Sequence, residues 1–426
     1  MKKLILSVAL VLATLQTVMP AQARDGSFYR FSAADLAGPA GSIVRLERLP
    51  TPAGASAAYK ILYRSRDHSG HPMVISGVAA ISAARPAPGG RPIVSWAHGT
   101  TGIAARCAPS IEADVFSRIA GFSDLMAFGA IVVATDYHGL GAASRPGYLV
   151  AASEAHVVID AVRAARALPE ADAGRAFAVW GWSEGAHAAL AAADVASRYA
   201  PELTLVGVAA AAPPTDLGAL LRDDIRSPAG QVLAAYAIWS WSQVYGISED
   251  TAVVPAAEPT LASLAGMCSR SFFDDIGLGL TALTDVSGGL LKLNAAELPP
   301  WRALIRLNSL TDVPRGVPLF IAQGLADAII DPRATRAFVR NVCRSGGHVA
   351  YVEYPMADHD ATRRQSASAV VTWIRGRFER GAPPSDCARM GRGLDGPSIA
   401  PRQMPKSGKM TEDASSAALT PAEASA

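Results

Sequence analysis

Ser183 stands in Gly181-Trp182-Ser183-Glu184-Gly185, between the apolar run Phe177-Ala178-Val179-Trp180 and the alanine-rich stretch Ala186 to Ser197. A serine hydroxyl is a poor nucleophile until an imidazole takes its proton, and that imidazole needs a carboxylate to hold its tautomer. The chemistry on offer is acyl transfer, provided that the fold delivers a histidine and an acid to Ser183. Gly-x-Ser-x-Gly alone is weak evidence in a chain with 37 glycines among 426 residues; a plain turn serine would give the same letters. The context carries the weight. A buried strand, an abrupt turn and a close-packed helix form the setting in which a strained serine presents its hydroxyl. Glycine suits such a turn because backbone meets backbone where a Cβ would clash.

Chain order selects the partners, since an elbow of this kind is followed first by the acid and then by the histidine. Of eight histidines, His187, His348 and His359 lie after Ser183. His187 is on the helix just behind the elbow, too near to swing over the serine. His348 precedes a strand, at the wrong end of a sheet. His359 follows the carboxyl end of the strand Val349 to Tyr354, where such sites assemble. For the acid, Asp327 lies just past the strand Val317 to Ala322 and is preferred. Asp331, before Pro332, could instead cap the next helix, and Asp358 would point away from the neighbouring ring. Donors for a developing oxyanion are expected from the N–H of Glu184 and from the loop His98-Gly99-Thr100-Thr101. His98 precedes Ser183, so it reads as shaping that loop rather than as a base. The Glu184 side chain reads as a local hydrogen-bonding group. Asp136 and His138, after another core strand, are expected to brace the elbow or to form a satisfied buried pair.

The elements that must position these groups follow an alternating rhythm. Strand-like runs at Ala58 to Arg64 and Met73 to Ile81 flank a polar turn, an antiparallel hairpin signal. The stretch before them, from Arg24 to Gly54, reads as an irregular lead-in. Short apolar strands at 93–97, 130–135, 203–211 and 317–322 alternate with helical segments at 115–128, 153–168 and 333–344, and a last helix spans 361–380. Ser153 is the expected N-cap of the second of these. Such alternation argues for a mostly parallel sheet covered on both faces. Between residues 214 and 313 the rhythm breaks, in a stretch too long for an ordinary connection. Its Tyr236, Trp239, Trp241 and Tyr245 suggest a helical lid with an apolar wall, or a subdomain that only completes the core. From residue 391 the chain loses periodicity and reads as a disordered tail.

Composition bounds the rest. Half of the residues are hydrophobic, enough for a large core. Lys2 and Lys3, the apolar run Leu4 to Leu15 and Ala21-Gln22-Ala23 read as a signal peptide (residues 1–23) cleaved near Ala23, not as an integral membrane anchor. With a formal net charge of +2, partly from Lys2 and Lys3, nothing points to nucleic acid as a partner. An even set of cysteines (Cys107, Cys268, Cys343 and Cys387) in an exported chain favours disulfides, without specifying their pairing.

Taken together, Ala97-His98-Gly99-Thr100-Thr101-Gly102, Cys107-Ala108-Pro109-Ser110, Asp136-Tyr137-His138-Gly139-Leu140-Gly141, the elbow, Gly324-Leu325-Ala326-Asp327 and the His359 loop resemble the secretory lipase family. The resemblance spans about residues 90 to 390 and implies an α/β-hydrolase fold, with core segments at 24–213 and 314–390 and a large helical lid at 214–313. It implies Ser183, Asp327 and His359 as a triad acting on ester substrates, with neither metal nor cofactor. It also implies the disulfides Cys107–Cys268 and Cys343–Cys387, the first tying lid to oxyanion loop. Gly99 falls where some relatives use an oxyanion side chain, leaving backbone donors and the Thr100 hydroxyl. A lipid or small-molecule ester is the expected partner, with transient contact of the lid with a lipid interface, and the location is secreted or periplasmic.

Overall fold

The core strands bury side chains on both faces, and their register explains the near-continuous apolar runs. Ile131 and Val133 face one cluster with Phe177 and Val179, while Val132, Ala134, Ala178 and Trp180 face the other. A strand covered on both sides has no polar alternation to show. The protein is described from a computed structural model covering residues 26–390, apart from 143, 224–226, 271–276, 280, 282–289, 293–294 and 312–315. The expected signal peptide and tail lie outside the described residues.

In chain order the elements are β1 (Ile43–Arg48), β2 (Ala55–Arg66), β3 (Pro72–Ser82), β4 (Arg91–Ala97), α1 (Phe122–Phe128), β5 (Ile131–Thr135), α2 (Ala151–Arg166), β6 (Ala173–Trp182) and α3 (Glu184–Tyr199). There follow β7 (Thr204–Ala211), α4 (Leu217–Asp223), α5 (Pro228–Tyr245), α6 (Glu258–Gly266), α7 (Trp301–Asn308), β8 (Leu319–Gly324), α8 (Pro332–Arg344), β9 (Val349–Tyr354) and α9 (His359–Phe378). Nine strands form one sheet in the order β1-β2-β3-β5-β4-β6-β7-β8-β9. The β2–β3 hairpin is antiparallel, pairing Ser65 with Met73, and β3 meets β5 antiparallel. From β5 through β9 every pairing is parallel, so the carboxyl ends of these strands share one edge. Helices α2, α3 and α8 cover one face, through Val158, Leu190 and Phe338. The other face is covered by α1 and α9, through Leu125 and Trp373.

Three local expectations are corrected. The lead-in contains β1, paired with β2; as a partly exposed edge strand it lacks a buried face to mark it. The helix expected over 115–128 is a 3₁₀ turn at Val115–Arg118 followed by α1. Gly121 separates them with φ 76°, a left-handed conformation at a position where a Cβ would press on Val371. Helix α2 starts earlier than Ser153, with Val150 as N-cap. Ser153 is buried instead, and its hydroxyl accepts from the His68 N–H at 2.9 Å.

The insertion between β7 and β8 carries α4–α7 and has its own apolar cluster. Tyr236, Ile238, Trp241, Leu261 and Trp301 pack there with Tyr148, Leu149 and Ile330 of the sheet edge. Trp241 Nε1 donates to the Tyr148 carbonyl at 3.1 Å, so a large ring is buried without orphaning its polar atom. Cys107 and Cys268 form a disulfide across 161 residues, with Cα atoms 5.3 Å apart. The Ser269 N–H donates to the Thr101 carbonyl at 2.9 Å beside it. Cys343 and Cys387 form the second disulfide, pinning the last turn of α8 to the C-terminal segment. Among the described residues, no helix is long and apolar enough to cross a membrane.

Candidate active site

β6 ends at Trp182 and α3 begins at Glu184, leaving Ser183 alone to make the turn, with φ 55° and ψ −123°. That region is unfavourable for a residue with a Cβ, so the surrounding packing must hold it. The Ser183 N–H stays in the sheet, donating to the Ala211 carbonyl at 3.0 Å, while the Ser183 carbonyl accepts from the Ala186 and His187 N–H groups. Both glycines are sterically required. A Cβ on Gly181 would collide with the Gly185 carbonyl, and one on Gly185 with the carbonyls of Ala97 and His98.

His359 opens α9, directly after the loop that leaves β9. Its Nε2 lies 2.8 Å from Ser183 Oγ and its Nδ1 lies 2.8 Å from Asp327 Oδ2. Asp327 follows the end of β8 and is buried. Its Oδ1 accepts from the Ile329 and Ile330 N–H groups, each at 2.9 Å, and Gln323 Nε2 donates to Oδ2 at 3.2 Å. Burial would raise this carboxyl, but the His359 hydrogen bond and charge, with the two backbone donors, outweigh it and hold the group below the usual carboxylate range. An ionised Asp327 fixes the Nδ1–H tautomer, which leaves Nε2 to accept the serine proton.

The alternatives separate cleanly. Asp331 caps α8, accepting from the Arg333 N–H at 2.7 Å. Asp358 caps α9, accepting from the Ala361 N–H at 2.7 Å. His348 precedes β9, at the edge of the sheet away from Ser183. Helix α2 supplies Glu154, whose Oε2 is 2.5 Å from His187 Nδ1, and His187 Nε2 is 2.7 Å from the Asn308 carbonyl of α7. A carbonyl and a carboxylate only accept here, so the buried ring carries both protons. Burial alone would lower the His187 pKa, but Glu154 and the Asn308 carbonyl raise it.

The loop after β4 lies against the elbow. The Tyr137 hydroxyl donates to the His98 carbonyl at 2.9 Å, and Thr100 Oγ1 and the Tyr148 hydroxyl are 3.1 Å apart. Glu184 is the first residue of α3, so its N–H has no partner one turn earlier in the helix and sits at the positive end of the helix dipole. Its side chain departs from expectation. The carboxyl is buried, with Oε2 unpartnered among the described residues. Burial, then the charge of Glu154, pushes its pKa well above the ordinary value. The expected brace is also corrected. Asp136 accepts from Ser110 and from Ser76 Oγ, the latter at 2.6 Å, so it anchors the segment after β4 rather than the elbow. His138 instead lies against Gly147, and burial lowers its pKa to about 4.

Sequence reasoning missed Trp182, Gln323, Tyr137 and Tyr148. Trp182 Nε1 donates to the His359 carbonyl at 3.0 Å, and the two rings lie 5.2 Å apart. The position of Trp182 next to the nucleophile was the available signal. Tyr137 and Tyr148 become visible only when distant segments are brought together, whereas Gln323, four residues before Asp327, was a local signal left unread.

The model of the family described as secretory lipase matches residues 114–254 and 288–386. A lipase A of Arthroderma benhamiae is 25% identical over 368 residues, covering 80% of this chain and 76% of that protein. A protein of Mycobacterium tuberculosis described as a probable inactive lipase is 25% identical over 373 residues, covering 79% and 76%. Among solved structures, Candida antarctica lipase A in its closed state superposes with a TM-score of 0.69 at 21% identity, covering 84% of this chain and 87% of that one.

Proposed function

Because this chain belongs to the secretory lipase family, and so to the carboxylic ester hydrolases, we propose that it cleaves esters through an acyl-enzyme on Ser183. The observation that carries the reading is the unbroken chain from Ser183 Oγ to His359 to Asp327, with 2.8 Å at each link. His359 takes the serine proton as Oγ attacks the ester carbonyl. The N–H groups of Glu184 and of Gly99 or Thr100 hold the oxyanion. The imidazolium then protonates the departing alcohol, and a water activated by the same histidine releases the acid. Asp327 keeps the ring oriented throughout and stabilises its charged form.

The rest of the chain supports the same reading. The segment 214–313 acts as a cap over the core (24–213 and 314–390), and its apolar cluster supplies a wall for the acyl chain and a face for transient contact with lipid. The protein is exported after cleavage near Ala23, in keeping with two disulfides. A catalytically silent fold is the competing reading, since one relative is described as a probable inactive lipase; the triad geometry here favours activity.

Labelling with an organophosphate followed by mass spectrometry tests the assignment. One adduct is expected, on the peptide holding Ser183, and an adduct on a different serine would overturn it. A panel of p-nitrophenyl esters of rising acyl length separates lipase from esterase, and equal inactivity of wild type and Ser183→Ala would establish the silent fold.

A further inference from the structure

Glu184 offers a main-chain donor to the oxyanion, and the same residue also carries a buried carboxyl. It is 4% exposed and opens α3, where a Cβ on the following Gly185 would collide with the carbonyls of Ala97 and His98. The start of α3 therefore lies directly against the loop after β4. From that loop the Thr100 hydroxyl hydrogen-bonds the Glu184 carboxyl, and from α2 the Glu154 carboxyl acts on it as a like charge. Tyr137, after β5, and Tyr148, before α2, are close enough to feel its charge. His187, one turn along α3, is committed to Glu154 and the Asn308 carbonyl. His359, from α9, is committed to Ser183 and Asp327. Among the described residues no cation is paired with Glu184. An unpaired carboxylate is costly to bury, and a group so placed keeps its proton instead. Burial, then the Glu154 charge, raises its pKa well above the ordinary value, and the Thr100 hydrogen bond offsets only part of that rise.

We propose that Glu184 is a neutral carboxylic acid that positions the oxyanion loop, donating its proton to the Thr100 hydroxyl so that the Gly99 and Thr100 N–H groups stay aimed at the reacting carbonyl. This rests on the ester hydrolase reading. Thr100 Oγ1 and the Tyr148 hydroxyl lie 3.1 Å apart, and each hydroxyl has one proton to give. With Glu184 protonated, its O–H donates to Thr100 and the Thr100 hydroxyl donates to Tyr148, so every link holds one proton. An ionised Glu184 can only accept. It takes the Thr100 proton and turns that link around. It also puts negative charge on the residue whose N–H must hold an oxyanion, which works against stabilisation of the transition state. Turnover therefore falls as pH rises through the Glu184 ionisation.

The test measures kcat and KM for p-nitrophenyl acetate against pH on wild type, Glu184→Gln, Glu184→Ala and Thr100→Val. Glutamine is a neutral donor that cannot ionise, so Glu184→Gln should lack the alkaline decline in kcat that wild type shows. Glu184→Ala and Thr100→Val release the loop and should lower kcat by up to about 100-fold, with KM changed far less and Glu184→Gln lying much closer to wild type. Two readouts do not need turnover. Hydrogen–deuterium exchange of the peptide holding His98 to Gly102 should quicken in Glu184→Ala and Thr100→Val and stay near the wild-type rate in Glu184→Gln. The melting temperature of Glu184→Gln should gain on wild type as pH rises above the ordinary glutamate pKa, about 4.3, because the folded protein must hold a proton that the unfolded chain releases. The same alkaline decline in Glu184→Gln, with no gain in melting temperature, would show Glu184 to be ionised and overturn the proposal while leaving the hydrolase reading intact. Unchanged kcat and loop exchange in Glu184→Ala would overturn it equally. No turnover by any form, with loop exchange quickened in Glu184→Ala and the melting temperature raised in Glu184→Gln, would overturn the hydrolase reading and keep Glu184 as a neutral acid that holds the loop.

Discussion

The proposed catalytic centre and the junction between the insertion and the core sheet are held by different means. At the centre, position comes from backbone: Ser183 is forced to φ 55° between a strand and a helix, and Gly181 and Gly185 leave no space for a Cβ. At the junction, long side chains and a covalent bond do the holding. His187 reaches Asn308, Trp241 reaches the Tyr148 carbonyl, and Cys107 is joined to Cys268. His187 belongs to both regions, since its N–H donates to the Ser183 carbonyl while its ring binds the cap. A nucleophile must stay fixed relative to its imidazole within a fraction of an ångström, whereas a covering element needs only to be tethered. On the function proposed above, chemistry sits on strand ends and access on an insertion.

The largest expected effect breaks the centre without touching the junction. Ser183→Ala should lower kcat by about 10⁴–10⁶-fold with an unchanged circular dichroism spectrum and melting temperature. Asp327→Asn should cost about 10⁴-fold by favouring the wrong tautomer of His359; near-normal rates for this variant would return the acid role to Asp331.

At the junction, Glu154→Gln leaves His187 buried without its counter-charge, and about 3–5 kcal/mol of stability should be lost by urea titration. The pH dependence of that loss sharpens the point. The His187 pKa is raised in the folded protein, so the pair contributes fully below the ordinary histidine pKa, about 6.5. That contribution fades as pH rises through the raised folded value. The stability gap between wild type and Glu154→Gln should therefore be wide at pH 6 and narrower at alkaline pH; a gap that widens would show His187 to be neutral. Replacing Cys107 and Cys268 with serine should cost roughly 2–5 kcal/mol, while turnover of a short soluble ester changes far less than in the Ser183 variant. The smallest effect belongs to Asp358→Ala, which removes the N-cap of the helix carrying His359 and should cost about 1 kcal/mol.

Legibility in the sequence follows the same division. The parallel core was readable because strands and helices announce themselves through contiguous periodicity, and Phe177 to Trp180 entering the elbow is a run of that kind. The β1 edge strand was not, because a half-exposed strand lacks a continuous apolar face. The break at Gly121 was hidden because the apolar pattern continues across it. Asp136 was misread because its partners, Ser76 and Ser110, come from segments that only the sheet order brings to it.

What could be read from the chain alone is the turn at Ser183 and, as expectations, His359 rather than His187 or His348 and Asp327 as the acid. Each depends on local backbone geometry and on the rule that parallel strands end at one edge. What the tertiary structure decided is where buried polar atoms find partners. The His187–Glu154–Asn308 chain and the raised pKa of Glu184 arise from residues distant in sequence. Their energies depend on which groups meet once water is excluded, and that exclusion exists only after the sheet and the cap have packed.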